Sequence, residues 1–488
     1  MSPKHIQGEI YVDGTWQSST DTDAIESYNP ATGEPIATFP NSSRTDAREA
    51  IAAAVDAQNE WAETSAHDRG AYLREAAGVL SDRKEGLSEL LTRELGKTIG
   101  SARGEVQRAV DLLNYYAEVA RDYSGTTTPS TSEHTLNYTQ AEPLGTAALI
   151  TPWNFPIAIP AWKLAPALAA GNTVVFKPAS NTPAISASIV EALDEVGVPD
   201  GVVNFVTGPG STVGDEFVVN DNTDVVSFTG SYAVGNRVYH AAAEDGNRVQ
   251  CEMGGKNPII VDETADIDLA VELSVGGAYG GAGQACTATS RAIVFESVYD
   301  EYLSTLTDTV ESMRVGDPSD ESVDMGPKVT EDSLEGDLQY IATAKDEGAT
   351  VAVGGERIDD LEGHFIEPTV LTDVDPHDTI AQEEVFGPVL AVLSVDGWSE
   401  AIGVANGVEY GLSASICTNR LDRAKEFAAD IQTGVVKINQ TSTGVELQMP
   451  FGGRKRSSTE TFKEQGRQAL DFYTHEKAIY MTHFHADE

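Results

Sequence analysis

"TAALITPWNFPIAIPAWKLAPALAAGNTVVFKPAS", residues 146–180, reads as strand, loop, helix and strand. "TAALI" and "NTVVFKP" are short apolar runs rich in β-branched residues and bounded by turn formers, as buried strands are. The residues between them carry apolar side chains at helical spacing, with a helix opening near Ile159. Strand, crossover helix and second strand form a βαβ unit, and its two strands lie parallel. The alternation goes on downstream, with strands "VVNFVTG" and "VVSFTGS" and helices from about Ala184, Ser211 and Val234. A second series opens at "NPIIVD" (from Asn257) and runs through "RAIVFES", "ATVAVGG", "PVLAVLSV", "LSASICT" and "GVVKIN". The expected fold is therefore α/β, with two doubly wound parallel-sheet domains.

The flanks have a different texture. Residues 45–123 place apolar side chains at three- and four-residue intervals, the pattern of amphipathic helices. From Gly125 the chain becomes rich in Thr, Ser and Pro, which suits an extended arm that leaves a domain and returns to it. The ending "DFYTHEKAIYMTHFHADE" reads as one more strand with a frayed tail.

Composition narrows the function. The chain has 488 residues, too many for one ordinary core, and 44 of them are glycine. Lys and Arg number 32 against 77 Asp and Glu, a formal net charge of −45. Affinity for phosphate rests on Lys and Arg, so nucleic acid and anionic membrane surfaces are excluded as partners of the fold surface. The acidic residues lie in short patches such as "DETADID" and "DPSDESVDMG", a highly solvated surface suited to high salt, where screening removes self-repulsion. Three cysteines, Cys251, Cys286 and Cys417, are too few for a disulfide framework and point to a reducing compartment. The first residues contain no apolar signal core, and the most apolar stretch, 157–176, is broken by Lys163, two prolines and Gly171. A cytoplasmic protein is expected. The histidines are scattered; His483 and His485 form an accidental pair in the tail, and no metal is expected.

Four motifs fall at strand ends, where doubly wound sheets bind ligands. In "GAGQACTATSR" the thiol of Cys286 sits on a loop among small residues, open to a substrate, as a nucleophile requires. In "CEMGGK" Glu252 precedes two glycines that would let a substrate approach a general base. In "TPWNFP" two prolines stiffen a loop around Asn154, whose amide could serve an oxyanion. In "FTGSYAVG" Gly230 and Ser231 end a strand and open a helix, the usual place for a phosphate. Cys251 and Cys417 read as small core residues.

These motifs, with "FKPAS" (176–180), "EEVFGPV" (383–389) and "MPFGG" (449–453), resemble the NAD(P)-dependent aldehyde dehydrogenase superfamily, in the family's order and over essentially the whole chain. The resemblance implies a dinucleotide-binding domain of residues 1–123 and 144–254, and a catalytic domain of 255–455. Oligomerisation elements would be 124–143 and 456–488, giving a dimer or tetramer. It also implies that Cys286 attacks the aldehyde carbon, that Asn154 and the Cys286 backbone N–H hold the oxyanion, and that Glu252 activates water against the thioester. Glu384 and Phe386 would meet the nicotinamide ribose and ring, and Lys177 the adenosine ribose. Trp153, Gly230 and Ser231 would line the cofactor groove. Where NAD-restricted members often carry Glu, this chain has Ser180, so NADP is allowed and is the first expectation, with NAD as the other. The chain places Trp162 where succinic semialdehyde enzymes place a carboxylate-binding Arg before the Lys. Its "NQTSTGVELQMPFGG" and C-terminal ending are similar to members that oxidise 2-oxoglutarate semialdehyde (2,5-dioxopentanoate) in pentose and sugar-acid breakdown. Succinic semialdehyde, betaine aldehyde or another aldehyde is the alternative, ahead of a catalytically silent protein on the same fold. For an acidic substrate, Arg291, Arg454 and Arg456 are the candidate cations.

Overall fold

A computed structural model describes residues 5–19, 21, 23–244 and 246–483. Its first large sheet holds five parallel strands in the order Arg248–Glu252, Val225–Thr229, Thr146–Ile150, Thr173–Lys177 and Val203–Phe205. Thr146–Ile150, the first of the five in the chain, lies at the centre, and winding reverses there. The open crevice thus forms between the carboxyl ends of Thr146–Ile150 and Val225–Thr229. All five residues of each of these two strands are buried, as expected where helices cover both faces. The crossover helix Ala158–Ala170 is buried along its whole length and ends at Gly171, in a left-handed conformation at φ 97°.

Several strands were not anticipated, among them Ile6–Gln7, Ala24–Tyr28 and Pro35–Pro40, which form a small sheet of their own, Thr369–Thr372 in the second large sheet, and two at one border of the first. Those two, Ile10–Val12 and Thr15–Gln17, extend the first sheet antiparallel beyond Val203–Phe205. The signal was present: Asp13 and Gly14 both take positive φ, the tight turn that "DG" between apolar runs favours. Strands of three residues are too short to show an alternation. Four helices, Arg44–Glu63, Ala66–Asp82, Lys84–Leu95 and Ile99–Asp122, occupy the segment read as amphipathic. The apolar faces of the last three join one core with the crossover helix, whereas Arg44–Glu63, of its buried residues, gives that core only Trp61 and packs Ala47, Ala50, Ile51 and Ala54 into a second one.

The second sheet runs Thr350–Val353, Thr369–Thr372, Val389–Val395, Thr289–Phe295, Asn257–Val261, Ser413–Cys417 and Val435–Ile438. It is parallel except at the Thr350–Val353 edge, which pairs antiparallel, so both sheets are mixed at one border. A short antiparallel strand needs no crossover helix, and a sheet border is where one is accommodated. The chain passes between sheets through Met253–Lys256, directly after Glu252. Thr135–Pro143 pairs over nine positions with Thr474–Thr482, making a separate β arm with Thr127–Thr128. No helix of the described residues is long and apolar enough to cross a membrane.

Candidate active site

Cys286 lines a cavity of about 400 Å3. Its wall is made by the helix Ile99–Asp122 (Lys97 just before it, Glu105, Arg108), by Phe155 and Trp162, and by Thr443–Val445 and Phe451. The loop carrying Cys286 turns sharply: Gly281, Ala282 and Gly283 all have positive φ. A Cβ at Gly283 would come within 2.2 Å of the Gly387 carbonyl oxygen, so only glycine permits the approach of those two loops.

The Cys286 backbone is held from behind. Asn257 Nδ2 donates to the carbonyls of Cys286 (2.8 Å) and Ala288 (2.9 Å), while its Oδ1 accepts from Ser413 N. Ser442 Oγ donates to the Thr287 carbonyl at 2.8 Å and meets Thr289 Oγ1 at 2.7 Å. In front, Asn154 is buried and its Nδ2 donates to the Gln284 carbonyl at 3.0 Å. That bond ties the "WNFP" loop of the first sheet to the cysteine loop of the second. One amide hydrogen is used there, and the second is left for a ligand. Cys286 as a residue is partly exposed. Burial first, then the carboxylates of Glu384, Glu252 and Glu464, push its pKa above the ordinary thiol value.

Glu252 ends its strand with its side chain 1% exposed. Ser458 Oγ donates to Oε1 at 2.8 Å and Gly453 N to Oε2 at 3.0 Å. Burial, then the like charge of Glu464, raise its pKa to about 8 against those two hydrogen bonds. Glu464 pairs with Lys163, and both are buried; Lys163 Nζ also donates to Ser227 Oγ at 2.6 Å. The segment after residue 456 thus passes the site before reaching the arm.

The cofactor positions surround the switch-point crevice. Lys177 closes its strand buried, its Nζ donating to the Pro178 carbonyl at 2.8 Å, and burial lowers its pKa to about 8. Ser180 lies partly exposed in the loop that follows. Gly230 follows Val225–Thr229, on the other side of Thr146–Ile150, where a Cβ would lie 2.5 Å from Phe228 Cζ, and Ser231 precedes the helix Tyr232–Glu244. The first N–H groups of such a helix have no intrahelical partner and favour phosphate. Trp153 and Phe386 meet edge to face with ring centroids 5.5 Å apart. Phe386 has φ 62°, and its carbonyl accepts from Lys328 Nζ at 2.5 Å; Lys328 in turn pairs with buried Asp337 at 2.8 Å. Glu384 Oε1 accepts from Gly255 N at 2.9 Å, and burial raises its pKa to about 7. Glu383 points elsewhere and accepts from Tyr340 Oη. A helix N-terminus, an ammonium at a strand end two strands away and two aromatic rings fit an extended dinucleotide.

The three arginines anticipated for an acidic substrate are not in the cavity wall. Arg291 is buried, donating to the carbonyls of Val404, Lys256 and Ala405. Arg456 pairs with Glu409 and lies over the Tyr232 ring, and Arg454 is exposed. Sequence reading also missed Asn257, Ser442, Lys328, Asp337 and the Lys163–Glu464 pair. Asn257 follows "GGK" directly and was within reach of that motif; the others are isolated polar residues without a local pattern. Among the described residues no cluster of His, Cys, Asp and Glu would hold a metal; His485 lies outside them.

The sequence profile of the aldehyde dehydrogenase family matches residues 16–479. Alpha-ketoglutarate semialdehyde dehydrogenase of Haloferax volcanii is 52% identical over 476 residues, covering 96% of this chain and 98% of that protein. The 2,5-dioxopentanoate dehydrogenase of Saccharolobus solfataricus is 46% identical over 439 residues, 90% of this chain and 91% of that one. The crystal structure of betaine aldehyde dehydrogenase from Staphylococcus aureus in complex with NAD+ superposes with a TM-score of 0.95 at 36% identity, covering 98% of this chain and 95% of that chain.

Proposed function

The chain belongs to the aldehyde dehydrogenase family, and we propose that it oxidises 2-oxoglutarate semialdehyde to 2-oxoglutarate with NAD(P)+ through Cys286. The observation that carries the chemistry is the Asn154–Gln284 bond, which ties an amide donor to the loop two residues before Cys286, a residue that lines a cavity. The substrate follows from the 52% identical Haloferax volcanii relative, matched over 96% of this chain.

The Cys286 thiol gives its proton to solvent as its sulfur bonds to the aldehyde carbon, and the carbonyl oxygen takes up the electron pair of its π bond. The free Asn154 amide hydrogen and the Cys286 backbone N–H steady that oxyanion, an effect worth about 10²–10³ in rate for one donor. Bound NAD(P)+ supplies the acceptor for the hydride that the carbon then loses. The resulting thioester is attacked by water; Glu252 takes the water proton, the carbon–sulfur bond breaks and the carboxylate leaves. A carboxyl ionising at about 8 is matched to that task near neutral pH. Trp153, Lys177, Ser180, Gly230, Ser231, Glu384 and Phe386 hold the dinucleotide, and Ser180 leaves room for a 2′-phosphate, favouring NADP.

Residues 1–123 and 144–254 serve the cofactor and 255–455 the chemistry. The arm, with Leu136, Tyr480 and Met481 exposed on paired strands, joins subunits into a dimer or tetramer, and the enzyme works in the cytoplasm. Purified protein should convert 2-oxoglutarate semialdehyde with release of reduced cofactor, and Cys286→Ser should abolish it. Full activity in Cys286→Ser would overturn the mechanism; simple aliphatic aldehydes serving equally well would overturn the substrate.

A further inference from the structure

The cavity that Cys286 lines contains two cations, Lys97 and Arg108, which differ in what they face. Lys97 is committed: its Nζ pairs with buried Glu105 and sits 3.5 Å above the centre of the Phe155 ring. Glu105 is fixed in turn by the N–H groups of Ile157 and Ala158. Arg108 has no carboxylate within ion-pair distance among the described residues. Its Nη2 donates to Gln465 Oε1 at 2.6 Å, a neutral partner. The nearest carboxylates are engaged elsewhere, Asp111 by Gln107 and Glu446 by Gln448. Gln465 is fully buried, its backbone at φ 60°, and its Nε2 has no acceptor among the described residues. Tyr116 Oη anchors the next residue through the Gly466 carbonyl at 3.1 Å. A non-glycine residue at positive φ is strained, and such strain persists where surrounding contacts over-determine it.

We propose that Arg108 binds the carboxylate of the substrate, with Gln465 as the positioning residue for its guanidinium; this rests on the reading of the substrate as a 2-oxo acid semialdehyde. Arg108 is half-buried, and a partly desolvated guanidinium without a counter-ion carries a desolvation cost that nothing offsets. Burial accordingly lowers the Arg108 pKa, and a carboxylate seated against it would relieve that. Four carbon–carbon bonds separate the aldehyde carbon from the carboxylate carbon, about 5 Å when extended, a length that a cavity of about 400 Å3 takes readily. In a chain of net charge −45 an anionic substrate is repelled by the surface as a whole, so the attraction has to be local. The same guanidinium repels a cationic aldehyde, which sets this cavity apart from one built for a quaternary ammonium.

The test measures kcat/KM for 2-oxoglutarate semialdehyde and for pentanal, of equal carbon count, in the wild type, Arg108→Lys, Arg108→Gln and Gln465→Leu. In Arg108→Gln the ratio of the acidic to the neutral substrate should fall about 10²-fold, mainly through KM. Arg108→Lys should fall between, and Gln465→Leu should move the ratio the same way by less. Pentanal turnover in each variant reports an intact fold and thiol. A ratio unchanged in Arg108→Gln overturns the assignment, and so does an equal loss on both aldehydes in both Arg108 variants, which would mark a purely structural arginine. A wild type without preference for the acid overturns the substrate reading instead.

Discussion

Replacing Ser458 by Ala should shift the pH dependence of thioester hydrolysis without touching the thiol step. Glu252 is raised to about 8 because burial and Glu464 outweigh the donors that favour its charged form. Of those donors, Ser458 Oγ at 2.8 Å is the one that a side-chain change removes. A hydrogen bond to a charged group contributes about 1.5–3 kcal/mol, and about 1.4 kcal/mol corresponds to one pKa unit. The variant should therefore hold Glu252 about one to two units higher. At pH 7.5 the ionised fraction then drops from about a quarter to a few per cent or less. The steady-state rate should fall about ten-fold there at the smaller shift and recover above the raised pKa. Rapid mixing separates the two stages. Reduced cofactor should still appear in a burst of about one per site, followed by a slower phase whose pH limb is displaced upward. Ser458→Thr keeps the hydroxyl and should retain the wild-type limb. If Ser458→Ala leaves the limb where it is, or removes the burst along with the steady rate, Glu252 is not the base whose ionisation limits hydrolysis.

Asn257→Ala removes two hydrogen bonds that hold the Cys286 loop; kcat should fall about 10–10²-fold with little change in the KM for NAD(P), as steady-state kinetics with each substrate varied will read. Ser180→Glu puts a carboxylate beside the position assigned to the 2′-phosphate, and should lower kcat/KM for NADP about 10²-fold relative to NAD. Equal effects on both cofactors would remove Ser180 from the cofactor site.

The parallel centres of both sheets were legible because fully buried strands carry continuous apolar runs, as Thr146–Ile150 and Val225–Thr229 do. The antiparallel border of the first sheet was not, since Ile10–Val12 and Thr15–Gln17 are too brief for any period to develop, and neither was the four-residue strand Thr369–Thr372; Thr350–Val353 was read as a strand but not as an antiparallel one. Glu252 and Asn154 stood out because each lies at or just after a strand end near glycine or proline, and Cys286 because it follows a glycine-rich turn, where backbone geometry leaves a local mark. The supporting residues leave none. Arg291 is the instructive case: an arginine just after the reactive loop looked like a substrate cation, yet three carbonyls claim its guanidinium. Only the fold reveals whether an arginine's five donors are already used.

The same limitation explains the segment after residue 456, which read as an oligomerisation element. Within eight residues it places Ser458 on Glu252, Glu464 on Lys163 and Gln465 on Arg108. These contacts span 206, 301 and 357 positions of sequence, so no local period or motif reports them. They are also unlike in kind: a hydroxyl on a carboxylate, a buried ion pair and an amide on a guanidinium. One short segment thus acts on the base, on the charge beside it and on the cavity's uncommitted cation. A substitution that displaced its backbone would disturb base strength and substrate selection together, whereas Ser458→Ala and Gln465→Leu should each disturb one. That separation distinguishes side-chain roles from a merely structural segment, because a general loosening would lower both measures in both variants.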